Sequence, residues 1–247
     1  MDKIKPQIGR VHQNEALLKD DMAWLHFTDP HRVILAGSLE EVIPALREVE
    51  CLVRENQWHA AGFLSYEAAS AFDSVLVTRS IAEHSAQEFP YLWFGLYPHP
   101  RRVSLPKPEG TKENSEWQPT ICRETYNGAI EKIKENIAEG RTYQVNYTMR
   151  LESPFMGDPW EFFLYLAQSQ NRHGAYIDTG QYVISSASPE LFFRLDGSTV
   201  TCRPMKGTTP RGRTTAEDRE QSEWLRASAK NRAENVMIVD MIRNDLG

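Results

Sequence analysis

Two side chains in the second half of the sequence could together displace a poor leaving group. Lys206 lies in the stretch 202–213, which holds four cationic residues, two prolines and two glycines. A lysine is normally protonated and becomes a nucleophile only when burial or a neighbouring cation favours its neutral form. Arg203 and Arg211 could be such neighbours. Glu190, which precedes this stretch, could give a proton to the leaving group.

Simpler interpretations of these residues stay open at this point. A basic loop that follows a strand is most often a solvated surface. Glu190 and Lys206 could also form an ordinary cross-strand ion pair. The stretch is not a phosphate-binding P-loop, because the glycine that such a loop needs upstream of its lysine is absent.

A third candidate, Glu234, lies on a predicted helix. Met237, Ile238 and Met241 follow it at spacings of three, four and seven residues, which places them on the same helix face. A carboxylate beside an apolar face either pairs with a cation or ligates a metal. One carboxylate with open coordination positions suits Mg²⁺, which retains waters and takes substrate oxygens. From the residue types alone, the salt bridge is favoured.

The elements around these residues predict how they are positioned. Two short apolar runs flank Asp196-Gly197, which is a strong signal for a β-hairpin. Folding the chain at that turn brings Glu190 and Lys206 to the same open end of the hairpin. A long helix is predicted to follow over about 215–243 and to end in an apolar run, 236–242, that needs a partner surface.

Periodicity and turn residues predict the remaining elements. A capping box at Ser38 and Glu41 predicts the start of the first helix. Prolines and charges over 98–118 indicate a linker or long surface loop, which divides the chain into an N-terminal α/β region, 1–97, and a second region, 119–247. The predicted helices cover about 39–53, 126–137 and 159–167, and the predicted strands cover 62–67, 91–97, 143–151, 181–188, 191–195 and 198–203.

Composition excludes several classes of protein. The chain has 247 residues, of which 40% are hydrophobic and 25% charged, as in ordinary globular proteins. Its 28 basic and 34 acidic residues give a net charge of −6, which disfavours nucleic-acid and membrane-surface binding. Three widely spaced cysteines disfavour a disulfide framework. Without a signal peptide or an apolar stretch of ~20 residues, a cytoplasmic location is predicted.

Four segments, in this order, resemble the chorismate-utilising enzymes, a family that includes the anthranilate, aminodeoxychorismate, isochorismate and salicylate synthases. The resemblance covers about residues 120–247, and the stretch 62–73 is more loosely similar to the N-terminal part of the aminodeoxychorismate synthases. The four segments are YQVN at 143–146, SASPE at 186–190, RPMKGT at 203–208 and AENVMIVDMIRND at 233–245.

The resemblance implies a fold and a site. The family fold is α+β, with two large, mostly antiparallel sheets packed together and helices outside. Glu190 is implied as the general acid at the C4 oxygen of chorismate, and Glu234 as one ligand of the Mg²⁺ that binds the substrate carboxylate. Gln144, Gly207 and Thr208 are implied to contact the substrate. A glutamine amidotransferase partner normally supplies ammonia.

Two positions favour one branch of the family. Lys206 occupies a position where anthranilate and isochorismate synthases typically carry a small residue. In aminodeoxychorismate synthase component I a lysine there adds to ring carbon C2 and expels the C4 hydroxyl, after which ammonia attacks C4 and expels the lysine. Gln144 replaces the lysine base of the water-using members, so activation of water is disfavoured. The implied reaction makes 4-amino-4-deoxychorismate for p-aminobenzoate and folate synthesis.

Two alternatives stay open. Anthranilate synthase component I shares every motif except Lys206, and a truncated, non-catalytic module could bind an amidotransferase instead. Family members are much longer than this chain, so we expect an N-terminal part that lacks the second metal-binding glutamate. Met205 replaces the more usual isoleucine, which is a swap of similar volume.

Overall fold

The computed structural model describes residues 6–20, 23–79, 89–109, 116–168 and 172–247. They form two compact units, Met1–Lys107 with Phe163–Gly247, and Pro108–Phe162. A short 3₁₀ helix covers Tyr66–Ala71. The five α-helices of the described part are α1 Leu39–Asn56, α2 Arg123–Ala138, α3 Pro159–Ala167, α4 Thr215–Ala227 and α5 Ala229–Leu246. Its strands are β1 Glu15–Asp20, β2 Ala23–Phe27, β3 Arg32–Ala36, β4 His59–Leu64, β5 Leu92–Tyr97, β6 Arg101–Val103, β7 Gln118–Pro119, β8 Leu151–Glu152, β9 His173–Asp178, β10 Val183–Ser188, β11 Leu191–Asp196 and β12 Thr199–Arg203.

Helix α1 begins at the predicted capping box. The backbone N–H groups of Gly37 and Ser38 donate to the carboxylate of Glu41, over 2.8 and 3.2 Å. These bonds satisfy donors that the first turn of a helix leaves without a partner. The apolar stripe of α1, including Val42 and Val49, packs against the three-stranded sheet β3-β5-β4. The prediction of this helix is confirmed.

Two antiparallel sheets pack together in the larger unit. The first has the strand order β10-β9-β1-β2-β6, and the second is β3-β5-β4. The hydroxyl of Tyr97 in the second sheet donates to the carbonyl of Asn14 beside the first, over 2.8 Å. The predicted α+β fold of packed antiparallel sheets is confirmed. The buried residues shared by the two sheets are Ala16, Phe27, Ala61, Trp93, Tyr97 and Ile177.

A helix covers the other face of the five-stranded sheet. Phe163 of α3 is fully buried, and its ring lies 5.5 Å from that of Trp24 and 5.1 Å from that of Tyr176. Side chains alternate between the two faces of a strand, so Tyr176 points to this helix while its neighbour Ile177 points to the second sheet. Burying a side chain as large as Phe163 stabilises the fold by about 1.5–3 kcal/mol.

Strands from distant parts of the chain share the five-stranded sheet. Strand β1 pairs with β2 on one side and with β9 on the other. Strand β6, residues 101–103, lies inside the segment predicted as a linker. It lies at one edge of the five-stranded sheet. Its Val103 is buried while its two charged residues remain in solvent, an arrangement that sheet edges tolerate. The boundaries 1–97, 98–118 and 119–247 stay a prediction.

Two predicted strands differ from the structure. The strand predicted over 143–151 is wrong, since only β8, at its far end, pairs with another strand, β7. Its alternating apolar residues do not form a buried face, and Tyr143 and Val145 are exposed. The strand predicted over 62–67 ends at Leu64, and the 3₁₀ helix follows it.

The long helix predicted over 215–243 is instead two helices, α4 and α5. Ser228 separates them: its backbone N–H donates to the carbonyl of Trp224 at the end of α4. Its hydroxyl accepts from the N–H of Asn231 over 3.4 Å and so caps α5. The apolar run of α5 is uncovered as expected, with Val236 65% and Val239 47% exposed.

The described helices include none with the length and apolar character needed to cross a membrane. All three cysteines, Cys51, Cys122 and Cys202, are free. The cytoplasmic location stays a prediction.

Candidate functional site

The predicted hairpin is confirmed. Strands β11 and β12 pair antiparallel, with Asp196 opposite Thr199 and Leu191 opposite Arg203. Gly197 occupies the turn at a φ of +57°. Because the pairing ends at Leu191 and Arg203, the residues just outside it lie at the open end of the hairpin.

The carboxylate of Glu190 reaches across this open end. Its Oε1 accepts a hydrogen bond of 3.0 Å from the backbone N–H of Met205, the residue before Lys206. Ser188 holds the backbone of Glu190, accepting from its N–H over 3.3 Å and donating to its carbonyl over 3.1 Å. The two segments therefore meet at the open end of the hairpin, where the Glu190 carboxylate contacts the backbone beside Lys206, and within the described residues no ion pair joins the two side chains. A joint role of Glu190 and Lys206 stays a prediction.

Gly207 lets the loop that follows β12, residues 204–213, pack against helix α5; we call this segment the Lys206 loop. It has a left-handed backbone, with a φ of +74°. A Cβ added there would lie 2.9 Å from Cγ and 3.0 Å from Cβ of Asn231, in the first turn of α5. Asn231 precedes Glu234 by three residues, so the loop lies beside the turn from which Glu234 projects. Thr208, which follows Gly207, is exposed.

Arg211 is committed to another partner and does not act as an uncompensated cation beside Lys206. Its Nε and Nη2 donate to the two carboxylate oxygens of Asp218, over 2.6 and 2.7 Å. The hydrogen bond to Arg211, together with one from the N–H of Gly212, lowers the pKa of Asp218, and the same pairing raises the pKa of Arg211. The expectation that Arg211 activates Lys206 is corrected, because Asp218 neutralises its charge. The role of Arg203 stays a prediction.

Glu234 makes one loose ion pair. Its Oε1 lies 3.9 Å from Nζ of Lys230, one helical turn away, and its side chain is 32% exposed. An exposed pair of this kind contributes little to stability. Among the described residues, no group of three His, Cys, Asp or Glu side chains could hold a metal ion. Glu234 can therefore offer Mg²⁺ a single carboxylate, which fits a cation that keeps waters and takes substrate oxygens.

Gln144 belongs to the other unit, Pro108–Phe162. Its side-chain Oε1 is buried without a hydrogen-bond partner. Leaving such an oxygen without a donor costs about 1–3 kcal/mol, which a bound ligand or water can recover. Contact of Gln144 with a substrate stays a prediction.

The open end of the hairpin also forms a cavity of about 300 Å³. Glu190 and Pro204 line it from the hairpin, and Ile242 lines it from α5. Sequence reasoning missed Ile242 and Asn231 as neighbours of the site. For Asn231 a signal exists, since it shares a helix face with Glu234. For Ile242 the sequence holds no signal, because only the tertiary fold brings it to the hairpin.

The family described as chorismate binding enzyme matches residues 13–247. The chain belongs to this family. Aminodeoxychorismate synthase component 1 of Escherichia coli K12 is 42% identical over 134 residues, which are 54% of this chain and 30% of that protein. Anthranilate synthase component 1 of Thermus thermophilus is 36% identical over 152 residues, 60% of this chain and 33% of that protein. The chain thus aligns with about a third of the length of these relatives.

Solved structures of other proteins agree with the fold of this chain. Anthranilate synthase component I of Streptococcus pneumoniae superposes with a TM-score of 0.69 at 17% identity, over 97% of this chain and 63% of that chain. An isochorismate synthase structure from Bacillus anthracis gives a TM-score of 0.63 at 16% identity, over 93% of this chain and 59% of that chain. At these identities the similarity shows the fold alone.

Proposed function

We propose that the chain carries part of an aminodeoxychorismate synthase component I, which converts chorismate and ammonia into 4-amino-4-deoxychorismate and water. One observation carries the proposal: the residue before Lys206 is hydrogen-bonded to the carboxylate of Glu190. An amine and a carboxyl group held at neighbouring positions are the nucleophile and acid that displacement of a hydroxyl group requires.

Lys206 acts in two steps. Its neutral amine forms a bond to ring carbon C2, the two ring double bonds shift, and the bond between C4 and its hydroxyl oxygen breaks. Ammonia then forms a bond to C4, the double bonds shift back, and the bond between C2 and the lysine nitrogen breaks. The lysine is thus regenerated, the new ammonium group at C4 returns one proton to Glu190, and the net change replaces the hydroxyl group by an amino group.

Glu190 assists the first step. Its carboxyl group gives a proton to the C4 oxygen, which leaves as water. The hydrogen bond from Met205 occupies Oε1, and in the described part of the chain Oε2 has no partner. Oε2 is therefore the oxygen that carries the transferred proton.

A metal and a protein partner complete the proposal. Glu234 would give one ligand to Mg²⁺, which would neutralise the charge of the substrate carboxylate. A glutamine amidotransferase subunit supplies the ammonia. The support for that partner is the phrase "component 1" in the names of the relatives, which implies a second component.

The replacement Lys206→Ala tests the proposal. It should abolish formation of aminodeoxychorismate, measured by chromatography after incubation with chorismate, Mg²⁺ and ammonium, while chorismate still binds. Mass spectrometry of the wild-type protein quenched during turnover should find a substrate adduct on the peptide that contains Lys206. The control is Lys134→Ala, which removes an exposed lysine of α2. An unchanged rate in Lys206→Ala would contradict the proposal.

The same assay addresses a second candidate, anthranilate synthase component I. The 36% identity to the Thermus thermophilus protein favours it. Formation of anthranilate by the wild-type protein, with a rate that does not depend on Lys206, would support this candidate. Chorismate that the full-length protein leaves unconsumed under all conditions would instead support a non-catalytic module that binds an amidotransferase.

A further inference from the structure

The chain that follows Lys206 is fastened to helix α4. The hydroxyl of Thr209 donates to Oε1 of Gln221 over 2.5 Å. The backbone N–H of Arg213 donates to Oε2 of Glu217 over 2.7 Å. These bonds lie on both sides of Arg211 and Gly212, whose contacts with Asp218 form the centre of the attachment.

Asp218 makes the largest number of contacts in this attachment. It accepts two hydrogen bonds from Arg211 and a third, of 3.0 Å, from the N–H of Gly212. Its side chain is 31% exposed, whereas that of Arg211 is 78% exposed. We call Arg211, Gly212 and Asp218 the latch. It joins a loop backbone, a loop side chain and a helix at one carboxylate.

The latch lies close to Lys206 along the chain. On the N-terminal side, Met205 is held by Glu190, and Gly207 is held by its close contact with Asn231. On the C-terminal side, attachment to α4 begins at residue 209. Only residue 208 lies between the two attachments, and one residue spans at most ~3.6 Å. The latch follows Thr209 by two residues and holds the same end of the loop on α4, so without the latch this end is held, among the described residues, only by the bonds of Thr209 to Gln221 and of Arg213 to Glu217.

We infer that Asp218 is a positioning residue that holds Lys206 in its reactive place through the latch. The inference rests on the proposed function, in which Lys206 attacks the substrate. Asp218 itself touches no reacting atom. A misplacement of about 1 Å in a reacting group can lower a rate ~100-fold.

The test compares Asp218→Ala with Glu50→Ala in the full-length protein. Glu50 pairs with Arg54 on α1 over 2.6 Å, so the control removes a similar exposed Arg–carboxylate pair far along the chain. Asp218→Ala should lower kcat for amination ~10–100-fold and change KM less than ~3-fold. Asp218→Asn keeps an acceptor for the N–H of Gly212 and should lower kcat less than Asp218→Ala does. Glu50→Ala should match the wild type.

Amide hydrogen exchange gives a second readout that needs no turnover. In Asp218→Ala the amide of Gly212 should exchange at least ~10-fold faster, because it loses the carboxylate that accepts its hydrogen bond, whereas the amide of Arg213 keeps its acceptor, Glu217. If exchange is unchanged in Asp218→Ala, the proposed role of Asp218 is overturned. The same holds if kcat is unchanged in Asp218→Ala while Lys206→Ala is inactive, and the proposed function then still stands. Full amination by Lys206→Ala overturns the proposed function, and the role of Asp218 with it.

Discussion

Replacing Gly207 by alanine tests how the Lys206 loop is seated on α5. A residue other than glycine at a φ of +74° costs about 1–2 kcal/mol. The new Cβ would also lie within 3.0 Å of the Asn231 side chain, closer than real Cβ atoms approach. Turning that side chain out of its rotamer costs about 0.5–1.5 kcal/mol. The two effects together predict a loss of about 1.5–3.5 kcal/mol in the free energy of unfolding.

A matched control separates the two effects. Gly140 has a φ of +71°, but no atom lies within 4 Å of its added Cβ. Gly140→Ala should therefore lower the free energy of unfolding by only about 1–2 kcal/mol, which is the cost of the backbone conformation. The double variant Gly207→Ala/Asn231→Ala should recover the part due to Cγ and Oδ1 of Asn231, whereas the contact with Cβ at 3.0 Å remains. Thermal and urea unfolding measure each value.

The activity of Gly207→Ala completes the experiment. If the loop moves to relieve the contact, Lys206 moves with it, and amination should fall more than stability alone explains. Each kcal/mol corresponds to about 2–4 °C in Tm for a chain of this size. If Gly207→Ala were no more destabilised than Gly140→Ala and kept full activity, the loop would not be seated on Asn231, and the reasoning would be refuted.

Three further outcomes are expected. Glu234→Gln should raise the Mg²⁺ concentration for half-maximal activity ~10-fold, whereas a lower Tm with unchanged metal dependence would indicate a purely structural role. Burial lowers the pKa of His26 below its usual 6.5, although the hydrogen bond with Glu15 acts in the opposite direction. The stability that neutral His26 contributes is therefore fully present above pH 6.5, and it is lost as the pH falls through the folded-state pKa. His26→Gln should flatten the dependence of Tm on pH between about 7 and 5. Replacing Val236 and Val239 by serine should reduce self-association in size exclusion, with Tm changed by less than about 2 °C.

Local signals predicted the local parts of the site. Asp196-Gly197 predicted the hairpin, although Asp196 itself pairs with Thr199 and the two turn residues are Gly197 and Ser198. The register shifts between Leu191 and Arg194, and the open end still brings Glu190 beside Met205, the residue before Lys206. Likewise, the capping box at Ser38 and the apolar spacing after it predicted α1, since both act within one or two helical turns.

Features that depend on distant residues were not predictable in this way. The alternation over 143–151 suggests a strand, but a strand exists only where a neighbour satisfies its backbone, and the sequence does not reveal that neighbour. Arg211 is a candidate cationic neighbour of Lys206 in the sequence because both lie in one basic loop. Its carboxylate partner, Asp218, lies in the next helix, and its selection depends on how the loop folds back. The break between α4 and α5 did have a local signal, because a serine such as Ser228 before a helical run is a typical N-cap. The apolar spacing continues across the break, so it predicted one long helix.

The pairing of β1 with β9 has a consequence for the synthesis of the protein. About 150 residues separate the two strands. At a translation rate of ~5–20 residues per second, roughly 8–30 seconds pass before β9 leaves the ribosome. Until then one edge of β1 has no partner, although its apolar side chains are already available for wrong association. Contacts this distant in sequence also slow the folding of the finished chain. The nascent chain is therefore a second form, besides the folded protein with its exposed α5 valines, in which association is a hazard.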